Sequence, residues 1–263
     1  MNESPGRCIF CNAEGQFSSV EHIVPHSLGN DIFMLERGWV CDECNNLCSQ
    51  FEDRVLNNSI LRIERCRLGV ITKKKKPAKA QSYGISWFTE PMMENNILSA
   101  ESNWSKYPVL WNEDCTKGKI AIPIHDNTCV DLSRLLIKMG IEIASVGAFF
   151  GKTELNRDYS EAKRFVIGID KNIWPYFMIL SPNIEKKLIS IFQVTPKEHA
   201  YIRNLGFDLY LHEIESDIVL FFNYGCFMAG ISLTSRNTDW RNTLIEWGIH
   251  FVGCPREYQK QSW

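Results

Sequence analysis

The chain contains no run of the roughly 18 apolar residues that a membrane-spanning helix needs. Its opening residues, Met-Asn-Glu-Ser-Pro-Gly-Arg, lack the apolar centre of a secretory signal. We therefore expect a cytoplasmic protein with no membrane partner. Net charge is also scarce: 29 Lys+Arg against 31 Asp+Glu leave −2. An acidic polymer would have to be held by a local basic face and not by the field of the whole molecule. No internal repeat is visible, and the one low-complexity tract is a run of lysines. What the chain does have is length and apolar content, 263 residues at 44% hydrophobic, enough to bury a large core in one large domain or two.

The texture changes along the chain. Residues 1–72 hold two Cys-x-x-Cys pairs and a Glu-His pair, and end in a charged, helical-looking run. In "TKKKKPAKAQSYG", residues 72–84, four consecutive lysines precede Pro77 and a glycine, so we place a basic linker at 73–84 and a second domain at 85–263. Prolines at 91, 108 and 123 and the short piece "GKIAIPI" give a mixed pattern as far as about residue 130. Leu132, Leu135, Leu136, Met139, Ile143, Val146 and Phe150 then recur at helical spacing, predicting a core helix with one buried face. Towards the end, "FDLYLHEI", "DIVLFFNYG" and "CFMAGISLT" are apolar, partly β-branched runs split by turn residues, which predicts an antiparallel meander. The expected class is α+β.

Ten cysteines in a chain without a secretory signal point to metal before disulfides. Cys8 and Cys11 form one pair and Cys41 and Cys44 the other, and each pair can turn two thiolates towards a shared tetrahedral zinc. Four sulfur ligands leave no open position, so such an ion would be structural. Cys48 is spaced to compete as a ligand. Cys66, Cys115, Cys129, Cys226 and Cys254 are not, and read as small core residues.

The clamp would close a loop that contains Glu21-His22 and ends beside Asn45. A carboxylate and an amide oxygen suit a hard cation such as Mg2+ or Mn2+, and an imidazole titrating near neutrality suits a general base acting on water. Successive strand residues point to opposite faces, so an acid and a histidine sharing one pocket imply a distorted strand or a strand end.

Cys8-x-x-Cys11, Glu21-His22-Ile23-Val24-Pro25 with Ser27-Leu28-Gly29, and Cys41-x-x-Cys44-Asn45 together resemble the HNH endonucleases, the zinc-containing ββα-metal nucleases, in their Glu-His branch. "NNLCSQFEDRVLNNSILRIERCRLGV" is similar to the long helix that follows in that branch. The resemblance covers about the first 70 residues. It implies a zinc-stapled hairpin carrying the acid-His pair, then a helix starting near Asn45. It also implies hydrolysis of DNA phosphodiesters, with His22 as general base and Glu21 and Asn45 holding the catalytic Mg2+ or Mn2+. Many relatives have Asp in place of Glu21. The central asparagine, which helps orient the histidine in many members, has Asn30 as its candidate here.

Alternatives stand beside each assignment. His26 is spaced to join the site or to be a polar loop residue, and Asn46 replaces Asn45 if the helix begins one residue later. Lys73 to Lys76 suit phosphate contact or a solvated loop, and also resemble a nuclear import signal. Trp174, Trp240 and Trp247 are core or interface candidates, and His125, His199, His212 and His250 show no metal-like spacing. Two functions remain open. One is a metal-dependent DNA endonuclease of restriction or phage defence, in which residues 85–263 choose the target, sense a signal or form a homodimer. The other is a zinc-stapled nucleic-acid-binding module that does not cut.

Overall fold

A computed structural model describes residues 6–58, 60–82, 85–88, 99–102, 110–114, 116, 118–119, 126–149, 155–180, 201–204, 206–246 and 252–253. Pro91, Pro108, Pro123, Cys115, Cys254, Phe150, Trp247, His125, His199 and His250 lie outside them, as does most of "GKIAIPI". The described part is α+β, with antiparallel sheets and an N-terminal region built round a four-cysteine cluster.

The N-terminal region opens with a minimal hairpin, β1 (Glu21–His22) antiparallel to β2 (Met34–Leu35). After His22 the chain leaves the strand and makes a 3-10 turn at His26–Leu28. Gly29 ends that turn at φ +92°, a left-handed conformation that costs glycine little. Helix α1 (Asp42–Asn58) follows, then α2 (Ile60–Arg67). Asp42 fixes the start of α1 against the approach to β1, since its Oδ1 accepts from the Ser18 and Ser19 hydroxyls and the Ser19 N–H. Cys44, Cys48, Phe51 and Val55, at i, i+4, i+7 and i+11, form its buried face.

Between α2 and β3 (Ala80–Ser82) the lysine run is the tip of a tight turn. Thr72 and Lys76 are bonded across it, and Ile71 bridges to Pro77. β3, β4 (Ile85–Phe88) and β5 (Ser99–Ser102) make a small antiparallel sheet, whose Ala80, Ile85 and Trp87 pack with Ile63 and Cys66 of α2. A two-stranded pair follows, β6 (Leu110–Trp111) with β7 (Gly118–Lys119).

The predicted core helix is α3 (Asp126–Phe149). Of its expected face, Leu132, Leu135, Leu136, Met139 and Ile143 are buried and Val146 is partly buried, but Ile137, Lys138, Ile141, Glu142 and Ala144 are buried too, so the helix is covered nearly all round along this stretch. The reason is its position between α1 on one side and the large sheet and α4 (Ser160–Val166) on the other. Gly140 permits the close approach: a Cβ there would lie 2.5 Å from a Leu233 methyl. The bidentate contact of Arg54 with Asp131, at 2.6 and 2.9 Å, also ties α1 to α3.

That large sheet has the order β13-β8-β12-β11-β10-β9, all neighbours antiparallel. Its members are β8 (Phe177–Leu180), β9 (Tyr201–Asn204), β10 (Phe207–Ile214), β11 (Asp217–Tyr224), β12 (Phe227–Ser232) and β13 (Val252–Gly253). The predicted meander is β10-β11-β12, joined by two-residue turns. Period-2 alternation sends Leu220, Phe222 and Tyr224 into the main core and Val219 and Phe221 towards Phe177, Trp240 and Leu244, the latter two from α5 (Trp240–Glu246). Trp174 and Trp240 are core residues. The main core is continuous from Cys8 and Phe10 through α1 and α3 to Leu233, so residues on both sides of the lysine turn share it. None of the described helices is long and apolar enough to cross a membrane.

Candidate active site

The four predicted thiols meet. The Sγ atoms of Cys8, Cys11, Cys41 and Cys44 all lie within 4.8 Å of one another, and Cys11 and Cys41 are 3.6 Å apart. This set fits a tetrahedral zinc held at about 2.3 Å per sulfur. The local chain prepares it: the Cys44 N–H, in the first turn of α1, donates to Cys41 Sγ, where helix N-terminal amides favour thiolate. Cys8 is pulled down to about 4, first by the Cys44 thiol hydrogen bond and then by backbone N–H groups. Cys44 is pushed far up by that same Cys8 contact and by burial, and Cys41 is raised chiefly by burial. Without metal, then, the Cys8 thiolate is favoured while Cys41 and Cys44 keep their protons. Cys48 is absent from this group and is buried in the core, where desolvation holds it as a thiol.

Beside the clamp is a cleft of about 700 Å³. Glu21, His22 and His26 line it from β1 and the following turn, Asn45, Ser49, Glu52 and Asp53 from α1, and Arg65, Lys73 and Lys74 from α2 and the lysine turn. Because β1 is only two residues long, an acid and its neighbouring histidine both reach one cleft. Helix α1 begins at Asp42, so Asn45 falls in its first turn and faces this space, whereas Asn46 is exposed and outside the lining.

His22 is lowered below its ordinary 6.5, first by burial, then by the charge of His26, with Lys138 and Lys73 adding and Glu21 opposing. The imidazole is therefore neutral at pH 7 and can accept a proton. Its ring meets that of His26 edge to face, centroids 5.5 Å apart, and His26 Nε2 is 3.3 Å from Asp31.

Asn30 does not touch the imidazole. It is fully buried, and its Nδ2 donates to the Val24 and Phe33 carbonyls while Oδ1 accepts from the Ile32 and Phe33 N–H groups. All four bonds close the loop between β1 and β2. Asn30 thus pins the backbone that carries His22 and His26, and bears on the imidazole only through that backbone.

Glu21 is nearly buried, and its Oε1 is 2.7 Å from the ammonium of Lys138, a residue of α3. Its Oε2 is buried without a partner. Lys138 Nζ also lies 3.0 Å from Glu52 and 3.2 Å from Glu142, and donates to the His22 carbonyl at 2.8 Å. Burial works against this ammonium, but Glu142, Glu21 and Glu52 outweigh it and keep lysine well above its usual range. Glu52 and Glu142 are raised, chiefly by burial. An unpartnered carboxylate oxygen and the Asn45 amide make a donor set that fits one hard cation, with Lys138 competing for Glu21.

Further residues in the cleft lining and in the buried cluster behind it carry a signal in the sequence. Ser49 and Glu52 follow Asn45 at i+4 and i+7, on the same side of α1. Lys138 and Glu142 form an i,i+4 charged pair inside an apolar helix, an arrangement that asks for a partner. Arg65 gives no comparable local signal.

Residues 8–61 match the profile of the HNH endonuclease family. This N-terminal stretch carries both Cys-x-x-Cys pairs, the Glu-His pair, Asn30 and Asn45, and the class it defines is that of an HNH-type nuclease domain. No curated protein and no solved structure matches the chain.

Proposed function

We propose that the protein is a metal-dependent DNA endonuclease. The observation that carries this reading is the single cleft in which Glu21, His22 and Asn45 stand together, edged by Lys73, Lys74 and Arg65. The cationic side chains suit a phosphate backbone, which the net charge of −2 alone would not attract. The neutral His22 takes a proton from water. The water oxygen then bonds to phosphorus as the bond to one ester oxygen breaks, and that oxygen leaves with a proton from solvent or a cleft acid. Glu21 and Asn45 would hold Mg2+ or Mn2+, which supplies positive charge for the phosphoryl and departing oxygens. Asn30 and the four-thiol zinc clamp keep the loop and helix in register.

In this reading residues 1–72 cut, and residues 85–263 select the target, sense a signal or pair two copies. That division of labour suits a restriction or phage-defence nuclease acting in the cytoplasm. The ion pair between Glu21 and Lys138 favours a second reading, a zinc-stapled module that binds nucleic acid without cutting, because the pair already satisfies one ligand oxygen. Plasmid cleavage separates the two. Brief dilute EDTA, too mild to strip a closed zinc site, should stop cutting, and Mg2+ or Mn2+ should restore it. Cleavage persisting in EDTA would eliminate the metal mechanism, and binding without cutting of single-stranded, duplex or branched DNA would select the module.

A further inference from the structure

We infer that Lys138 is a positioning residue of the cleft, through which helix α3 holds the acid-His pair in place. This rests on the nuclease reading above. The ammonium has three protons to give. One goes to the His22 carbonyl at 2.8 Å and one to Glu142 at 3.2 Å, and Glu21 Oε1 is the nearest acceptor of all at 2.7 Å. Lys138 thus grips consecutive residues of β1, one by side chain and one by backbone. It also stands 3.0 Å from Glu52 of α1, so β1, α1 and α3 meet at this nitrogen.

Stability alone does not account for the arrangement. Lys138 and Glu142 are both fully buried, and replacing buried ion pairs with well-packed apolar side chains is often neutral or stabilising. What the charged group supplies and an apolar one lacks is direction. Fixing the His22 carbonyl sets the backbone from which the imidazole projects. Engaging Glu21 by Oε1 leaves Oε2 as the oxygen without a protein partner. The ammonium also weakens the hold of Glu21 on a cation, which suits an exchangeable ion. α3 lies outside the stretch matched to the HNH family, so the second region completes the nuclease site.

Two variants test this in the full chain. K138M/E142M removes the ammonium together with its helix partner using unbranched side chains of similar size, and K138Q keeps a polar head. Zinc content and thermal melting report the fold, plasmid cleavage gives kcat and KM, and paramagnetic titration gives the Mn2+ dissociation constant. The expected result is folded K138M/E142M with wild-type zinc and KM for DNA within twofold of wild type. Its kcat should be at least tenfold lower, and Mn2+ should bind at least threefold more tightly because the competing cation is gone. The discriminating number is kcat, which a purely structural lysine would leave unchanged in a variant that folds, whereas tighter Mn2+ binding follows from losing the charge beside Glu21. Wild-type kcat in a folded variant overturns the inference, as does failure of both variants to fold, which would assign Lys138 to the fold alone. A wild type that neither cuts nor binds Mn2+ overturns instead the nuclease reading on which the inference depends.

Discussion

Substituting Asn30 by alanine removes four hydrogen bonds at once without touching the cleft. The two from Nδ2, at 2.7 and 2.8 Å, satisfy the Val24 and Phe33 carbonyls, and the two to Oδ1, at 3.2 and 2.9 Å, satisfy the Ile32 and Phe33 amides. Val24 is fully buried, so its abandoned carbonyl costs about 1–3 kcal/mol. The other three groups are half-buried and partly recoverable by water, at about 0.5 kcal/mol each. The sum is about 3 kcal/mol, large for one polar side chain. Urea denaturation measures the total, and hydrogen exchange at the Ile32 and Phe33 amides measures the loop itself, where protection should fall at least tenfold. Asn30→Asp is a sharper version: it keeps the acceptor but turns a carboxylate towards two carbonyls. Its penalty should shrink as pH falls, because protonation restores one donor. A stability change under about 0.5 kcal/mol in Asn30→Ala, with wild-type exchange at both amides, would refute the loop-pinning argument.

Zinc binding to metal-free protein should release at least the protons held by Cys41 and Cys44, so calorimetric enthalpies should vary with buffer ionisation enthalpy; a buffer-independent enthalpy would contradict the proton-loaded cluster. His22 is lowered by burial and by His26, so the base stays neutral until pH drops through that lowered value. The acid limb of kcat/KM should therefore have its midpoint below 6.5, and a midpoint above 6.5 would contradict the assignment. Lys73→Ala with Lys74→Ala should weaken binding to any duplex sequence and flatten its salt dependence by about 0.9 in slope for each lost contact. An unchanged slope would return the turn to mere solvation.

The candidate site was legible in the sequence wherever its grouping is local. Paired cysteines announce a clamp by spacing alone, and a Glu-His pair before a proline, followed by Cys-Asn, places the acid, imidazole and amide by their order. The meander was legible because short aromatic and β-branched runs and the turn residues that split them are local signals. What escaped depends on groups far apart in the chain. Nothing near Glu21 signals that its partner is Lys138, and helical spacing around Met139 implied one buried face when two layers cover α3. Likewise a run of four lysines before a proline is solvated in most settings, yet here the turn at Ile71–Pro77 brings Lys73 and Lys74 to the cleft.

The central claim is that His22 deprotonates the attacking water in a metal-dependent cut. The direct measurement is single-turnover cleavage of plasmid DNA in Mg2+ or Mn2+ by wild type and by His22→Ala, each with zinc content and DNA affinity determined on the same preparation. A rate about 100 to 10,000-fold lower in the variant, at unchanged zinc and affinity, is the predicted result. Equal cleavage by the two proteins would contradict it.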